Sequence, residues 1–392
     1  MKFLYNFYIH IFDSKADAHR LFFPLALTGA LSGVALWIYP GPSYAMKWHR
    51  EVMICLFLIP AACGFSFIAL PRFLGSFPTT LTDKLVMFAL WIIEAAVVLL
   101  DLFTPFLFAK LASLLYLTYY VIIRVIRREG LIPIFFVFLP VSLWAGLTGI
   151  IAQMAGHFDL LDRSYSETYA SNAYFFGMFL LLVSGMGIKL FPIFTQTPPT
   201  GPAIFSGSWN RTLLSSRWFW LSVALTLYLS LALPSVYDSP LFGTVRFAIL
   251  ILIASRGWLL FQRGMRGGYL NLFLRSGVIL GIGGEALAPI LPGTWVHARH
   301  LVFIGALGVP VFAVMTRVTL AHEGRPFDAE QRSPWIIVIF MMILMAAMVR
   351  FAAAYREEYF DYLRVAAALW SMGGVFWAIF ILNELRLKRR MV

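Results

Sequence analysis

Charge is scarce in this sequence. Only 13% of its 392 residues are charged, about half the share of a soluble domain, while 60% are hydrophobic. Single cores stop growing near ~250–300 residues, so one soluble core cannot hide this apolar excess. A soluble globular enzyme, a disordered chain and a fibrous repeat are all excluded. Cysteine is nearly absent. Cys55 and Cys63 lie eight residues apart in one apolar run, about 12 Å along a helix axis and too far for a disulfide. The soluble catalytic signatures are missing too: no phosphate-cradling glycine loop, no CxxC, no HExxH and no GxSxG elbow. No secretory signal is expected. Asp13, Lys15, Asp17, His19 and Arg20 crowd the start, and the first apolar run is too long and lacks a cleavage pattern.

What is present is a series of apolar stretches bounded by charge, proline or glycine. Twelve are predicted to span a bilayer, near 21–40, 50–71, 85–103, 106–123, 131–153, 172–191, 218–236, 241–260, 270–291, 297–320, 334–354 and 361–382. The fold expected is all-α, a polytopic transmembrane bundle forming one integral-membrane domain over 1–392. The turn near Thr104 and Pro105, between the third and fourth spans, is very short. With the N-terminus inside, 20 of the 31 basic residues fall on cytoplasmic segments and five on outer ones, which places both termini in the cytoplasm. Clusters such as Arg124, Arg127 and Arg128 therefore set topology, and the net charge of +12 needs no nucleic-acid partner. The basic run Arg263 to Gly268 reads as a flexible turn, 197–217 as a polar loop, and 154–171 as an outer loop with Asp159, Asp162 and Glu167.

Gly29 with Gly33, and Gly277 with Gly281, have the small-xxx-small spacing that allows close helix approach. Trp48, Tyr39, Trp218 and Trp335 fall near span ends, as an interfacial belt would. No internal repeat is visible.

Ionisable groups at membrane depth mark chemistry. His49, His157, His297 and His300 map to the outer side; His297 and His300, three apart, share a helical face about 5–6 Å across. His322, at the cytoplasmic end, is about 33 Å from His300 along one helix, so the two cannot ligate one centre. Imidazoles just inside an apolar slab suit haem iron, and also copper; equally, a histidine at a span end is often only an interfacial polar residue. Met53 and Cys55 would supply soft ligands for copper but are also ordinary packing residues. Glu94, Asp101 and Glu285 are candidate proton groups. For Glu285, a buried pair with Arg246 or Arg350 is the alternative.

Three segments then resemble the NnrS family. Trp48 to Gly75, WHREVMICLFLIPAACGFSFIALPRFLG, is similar to that family's His-x-His-Glu-Met…Ala-Val-Pro-Asn-Trp-x-Gly signature. KLFPIFT, from Lys189, resembles Arg-Val-Ile-Pro-Phe-Phe-Thr. HLVFIGALGVPVFAVMTRVTLAHEGRP, from His300, resembles His-x-x-x-x-Gly…Met-x-Arg-x-x-Leu-Gly-His-x-Gly-Arg-Pro. The resemblance implies a bacterial inner-membrane protein of twelve helices that binds haem b and copper and is linked to nitric oxide and nitrosative stress. By position, His49 and His300 stand at histidines of the first and last motifs, and Arg317, His322 and Arg325 at the last motif's terminal residues. Lys189 replaces an arginine. Glu51 stands where the second histidine would fall, and Arg72 and Phe73 replace the Asn-Trp pair, so a copper site using both histidines has lost a nitrogen.

The expectation is a haem-binding, gas-handling membrane protein whose centre lies near the outer face. His49 and His300 are its candidate iron ligands, and His297 a candidate for copper or a distal pocket. Glu51 and Glu285 are the candidate catalytic proton carriers. Arg299 would suit haem propionates, while Arg317 would anchor its helix end and His322 would be structural or mark a second site. Nitric oxide or a similar gas, an electron donor and the lipid bilayer are the expected partners. A proton-coupled secondary transporter, and a haem sensor or assembly protein, are the competing classes.

Overall fold

The computed structural model describes residues 17–39, 41–195, 216–233, 239–261, 268–291, 293–326 and 328–391, the last five by backbone alone. Most of the polar segment 197–217 and of the basic run Arg263 to Gly268 lies outside the described residues. Among these there is no strand, and each predicted apolar stretch falls on one long helical segment. They are α1 His19–Ala35, α2 Pro42–Leu74, α4 Phe103–Ile126, α5 Ile134–His157, α6 Arg163–Phe194 and α8 Pro240–Gly257. With these go α3 Leu81–Leu99, α7 Arg217–Ala232, α9 Tyr269–Leu287, α10 Trp295–His322, α11 Pro334–Tyr355 and α12 Tyr359–Met391. Nine of the described helices are long and apolar enough to cross a membrane. The protein is an all-α polytopic helical bundle.

Local chemistry sets where the helices begin, and it moves several predicted boundaries. α2 starts eight residues early, with Pro42 in its first turn, where a missing N–H costs nothing. α3 starts at Leu81 because Thr80 and Asp83 form a reciprocal capping box. α6 starts at Arg163, capped by Asp162, whose carboxylate accepts the Tyr165 N–H at 2.7 Å. The outer loop read as 154–171 is therefore mostly helix. At the other end of α2, Gly75 takes a left-handed φ of +60° and stops the helix after Leu74, its N–H donating to the Pro71 carbonyl.

Among the described residues, four helical segments are widened into π-turns: Met53–Leu58 in α2, Ser171–Gly177 in α6, Ile253–Gly257 in α8 and Val302–Gly308 in α10. A π-turn frees backbone carbonyls from their usual partners, and such turns gather at functional sites. In α2 the Leu56 carbonyl accepts the Trp91 indole N–H at 3.2 Å.

Three of these turns disclose a repeat that the sequence conceals. The helix before each turn presses a glycine onto the turn's fourth residue. A Cβ at Gly29 of α1 would lie 1.9 Å from the Leu56 carbonyl oxygen. One at Gly149 of α5 would lie 2.7 Å from the Tyr174 amide, and one at Gly277 of α9 would lie 2.6 Å from the Gly305 carbonyl. Among the described residues two further long helices follow each pair, so the pairing of a glycine with a π-turn recurs three times along the chain. Leu56, Tyr174 and Gly305 share no side-chain character, which is why no repeat is legible in the letters.

The helices pack as two compact units. The first comprises Met1–Ile132, Val314–Pro326 and Ala378–Val392; the second comprises Pro133–Ala313 and Phe327–Trp377. In the first, Phe22, Phe67 and Tyr120 form an aromatic stack between α1, α2 and α4. Cys55 and Cys63 are both buried, and no disulfide joins them. Trp48 does not belong to an interfacial belt: it is fully buried against Phe103 and Phe106, because α2 starts early enough to carry it inside. Tyr39 and Trp218 are exposed. In the second unit, Phe273 stacks on Phe340, and Phe312 meets Trp370 and Trp377 edge-on.

Candidate functional site

In the first unit, His49 sits one turn before the π-turn of α2. Its Nδ1 is 2.8 Å from the Gly33 carbonyl of α1. A carbonyl only accepts, so Nδ1 carries the proton and Nε2 the lone pair. Its ring meets Trp37 edge-on. Glu51, two residues on, is fully buried, and Lys110 of α4 binds it at 3.0 Å with no exposure of its own. One turn further along α4, Ser113 donates to the buried Glu94 at 2.6 Å. Asp101 is not at membrane depth. It lies in the turn between α3 and α4 with a φ of +57°, and accepts from Lys47 and the Trp48 indole at 2.6 and 2.7 Å. Those two hydrogen bonds hold its carboxyl below the usual carboxylate range.

In the second unit, Glu285 of α9 is fully buried and pairs with Arg246 of α8 at 2.9 Å. Arg246 also donates to the Ser230 carbonyl of α7 at 2.7 Å. His300 has its Nδ1 2.7 Å from the Val296 carbonyl one turn earlier, so again Nδ1 is protonated and Nε2 holds the lone pair. His297 is turned the other way. Its Nδ1 lies 2.7 Å from the Arg350 guanidinium of α11 and 3.3 Å from the Arg350 carbonyl; the shorter contact has Arg350 donating, with the proton on Nε2. Arg350 reaches Tyr359 as well. Arg299 is buried, donates to Asn172 in the π-turn of α6, and lies 4.8 Å from the Trp295 ring centroid and 5.3 Å from that of Phe176.

His322 closes α10 within the first unit. Its Nδ1 is 2.8 Å from Asp17, and Arg72 reaches its Nε2 at 3.3 Å. One tautomer satisfies both: Nδ1–H donates to Asp17 and Nε2 accepts from Arg72. Burial alone would raise the Asp17 pKa, but the hydrogen bond from His322 and the neighbouring His19 and Arg20 hold it below the usual range. Arg72 stands where the first motif departs from the family pattern, and it meets the end of the last motif. Arg317 lies half-buried on α10 in the same unit.

Of the sequence-predicted residues, His49, Glu51, Arg317 and His322 belong to the first unit, and Glu285, His297, Arg299 and His300 to the second. Lys110, Asn172 and His19 escaped sequence reading. Lys110 is the one lysine in the middle of an apolar stretch, which was a usable signal. Asn172 gave none. His19 figured only among the polar residues that argue against a secretory signal.

A family model described as NnrS protein matches residues 15–389, nearly the whole chain. No curated protein matches the chain. The full-length match agrees with the three motifs and the multi-pass helical architecture on which they lie. The chain belongs to the NnrS family.

Proposed function

We propose that the protein binds haem in a bacterial inner membrane and handles nitric oxide or a similar small gas there, with an imidazole of His49 or His300, or both, on the iron. The observation that carries this reading is the tautomer. Each of these histidines donates Nδ1–H to a backbone carbonyl, which fixes the ring and leaves Nε2 as the donor atom, the arrangement that metal-bound histidines adopt. Both sit next to π-turns, where helix geometry departs from the α-helix. Family membership fits a nitric oxide role.

Haem, when bound, would supply an iron able to take a gas as ligand and to accept or pass an electron. The chain's own residues do the rest. Gly33 and Val296 hold the imidazoles through their carbonyls. Arg299, wrapped by Trp295 and Phe176, offers a buried cation to a propionate. Glu51 and Glu285 are engaged by Lys110 and Arg246, so passing a proton would require one of those pairs to loosen. Glu51 is engaged by Lys110, so we assign no copper to the first motif. His297, with its proton on Nε2, supports Arg350 in this reading.

The test is the visible spectrum and iron content of protein purified in detergent after expression with ample haem. A haem band and stoichiometric iron are expected, with the band shifted or lost in His49→Ala or His300→Ala and kept in His157→Ala. Protein without a band would overturn the reading. Anaerobic nitric oxide with a reductant then separates turnover from binding.

A further inference from the structure

We propose that Asp17, His19 and His322 form a three-ligand site for a first-row divalent cation, separate from any haem. The site lies in the first unit, where the start of α1 meets the C-terminal end of α10. A ligand atom of each residue lies within 4.8 Å of the others, and among the described residues no other such trio comes together. Asp17 and His19 are two residues apart in sequence, and His322 lies more than 300 residues from both.

His19 gives a second, independent observation. It is 2% exposed, yet neither ring nitrogen has a hydrogen-bond partner. A buried imidazole left in that state has lost its hydration without compensation. Its ring lies 5.0 Å from that of His322, centroid to centroid. A metal–nitrogen bond supplies the missing partner. Two imidazoles and one carboxylate, with coordination positions left open, are the donor set of zinc and non-haem iron(II) sites rather than of magnesium or calcium.

Two features oppose entry of an ion, and they sharpen the test. His322 and Asp17 are hydrogen-bonded at 2.8 Å, so an ion must exchange that bond for two bonds to itself. If His322 ligates through Nδ1, its proton passes to Nε2, where the Arg72 guanidinium now sits 3.3 Å away. Arg72 must then withdraw, and it is exposed. Arg20 is neutralised by Glu323 at 2.8 Å. Arg72 is therefore a competitor for the site, and removing it tightens metal binding.

The experiment is a Co²⁺ titration of full-length, haem-free, chelator-treated protein in detergent, followed by its ligand-field absorption. One Co²⁺ per chain is expected. His19→Gln and His322→Gln each weaken binding by about tenfold or more, a loss at least equal to that for outer-sphere partners, whereas Arg72→Gln strengthens it. His49→Ala and His300→Ala leave it unchanged. Binding that is equal in wild type, His19→Gln and His322→Gln would overturn the site, as would weaker binding in Arg72→Gln. The Arg72 variant keeps both histidines, so a folding defect at His19 cannot mask the answer. Haem-free protein separates this outcome from that of the haem reading.

Discussion

Lys110 and Glu51 face each other at 3.0 Å with neither side chain exposed. Taking both charges out of water is expensive, and their attraction offsets that cost only while both are present. Lys110→Met takes the nearer cation from the buried Glu51, leaving Arg50 at 4.0 Å, and should cost about 3–5 kcal/mol. The double variant Lys110→Met/Glu51→Gln should recover most of that loss. Thermal unfolding of the two variants in detergent checks the order; a double variant less stable than the single one contradicts the pairing. The sequence marked Glu51 because it displaced a motif histidine, and its 59-residue separation from Lys110 hid the partner. The same holds for Glu285, whose pairing with Arg246 was one of two alternatives that only packing could decide.

Helix pairs carry the next level. Gly29 and Gly33 meet the π-turn of α2 so closely that a Cβ at Gly29 would overlap the Leu56 carbonyl. Gly29→Ala should therefore force α1 and α2 apart and cost about 1–3 kcal/mol or more, as overpacking does. Gly283→Ala on α9, with nothing within 4 Å of its added Cβ, should be neutral or slightly stabilising. Comparing the melting temperatures of the two variants tests the close approach. The glycine spacing in α1 and α9 was legible, and the structure confirms both contacts. The π-turns were not legible. Hydrophobic periodicity reads an α-helix straight through Met53–Leu58, because one widened turn shifts the pattern by a single residue. The threefold recurrence stayed hidden for the same reason, since it resides in backbone shape.

At the scale of the whole molecule, the distribution of lysine and arginine predicts which side each connection faces. Both native cysteines are buried, so wild-type protein should give little background with an impermeant thiol reagent. Asp159→Cys, between α5 and α6, should label in intact cells; Arg128→Cys, between α4 and α5, should label only after permeabilisation. The opposite pattern would reverse the topology and move His49 and His300 to the inner face. By itself the sequence determined the membrane class, the positions of the helices and the family. These follow from local composition, because a bilayer selects stretches about 20 residues long whatever their neighbours. Only the tertiary structure decided the rest: which nitrogen of His49, His300 and His322 holds the proton, that His297 answers to Arg350, and that Asp17 and His19 meet His322. Those depend on carbonyls and charges brought together from distant segments. Side-chain chemistry in a bundle is set by the helix across the interface, and sequence order does not name that neighbour.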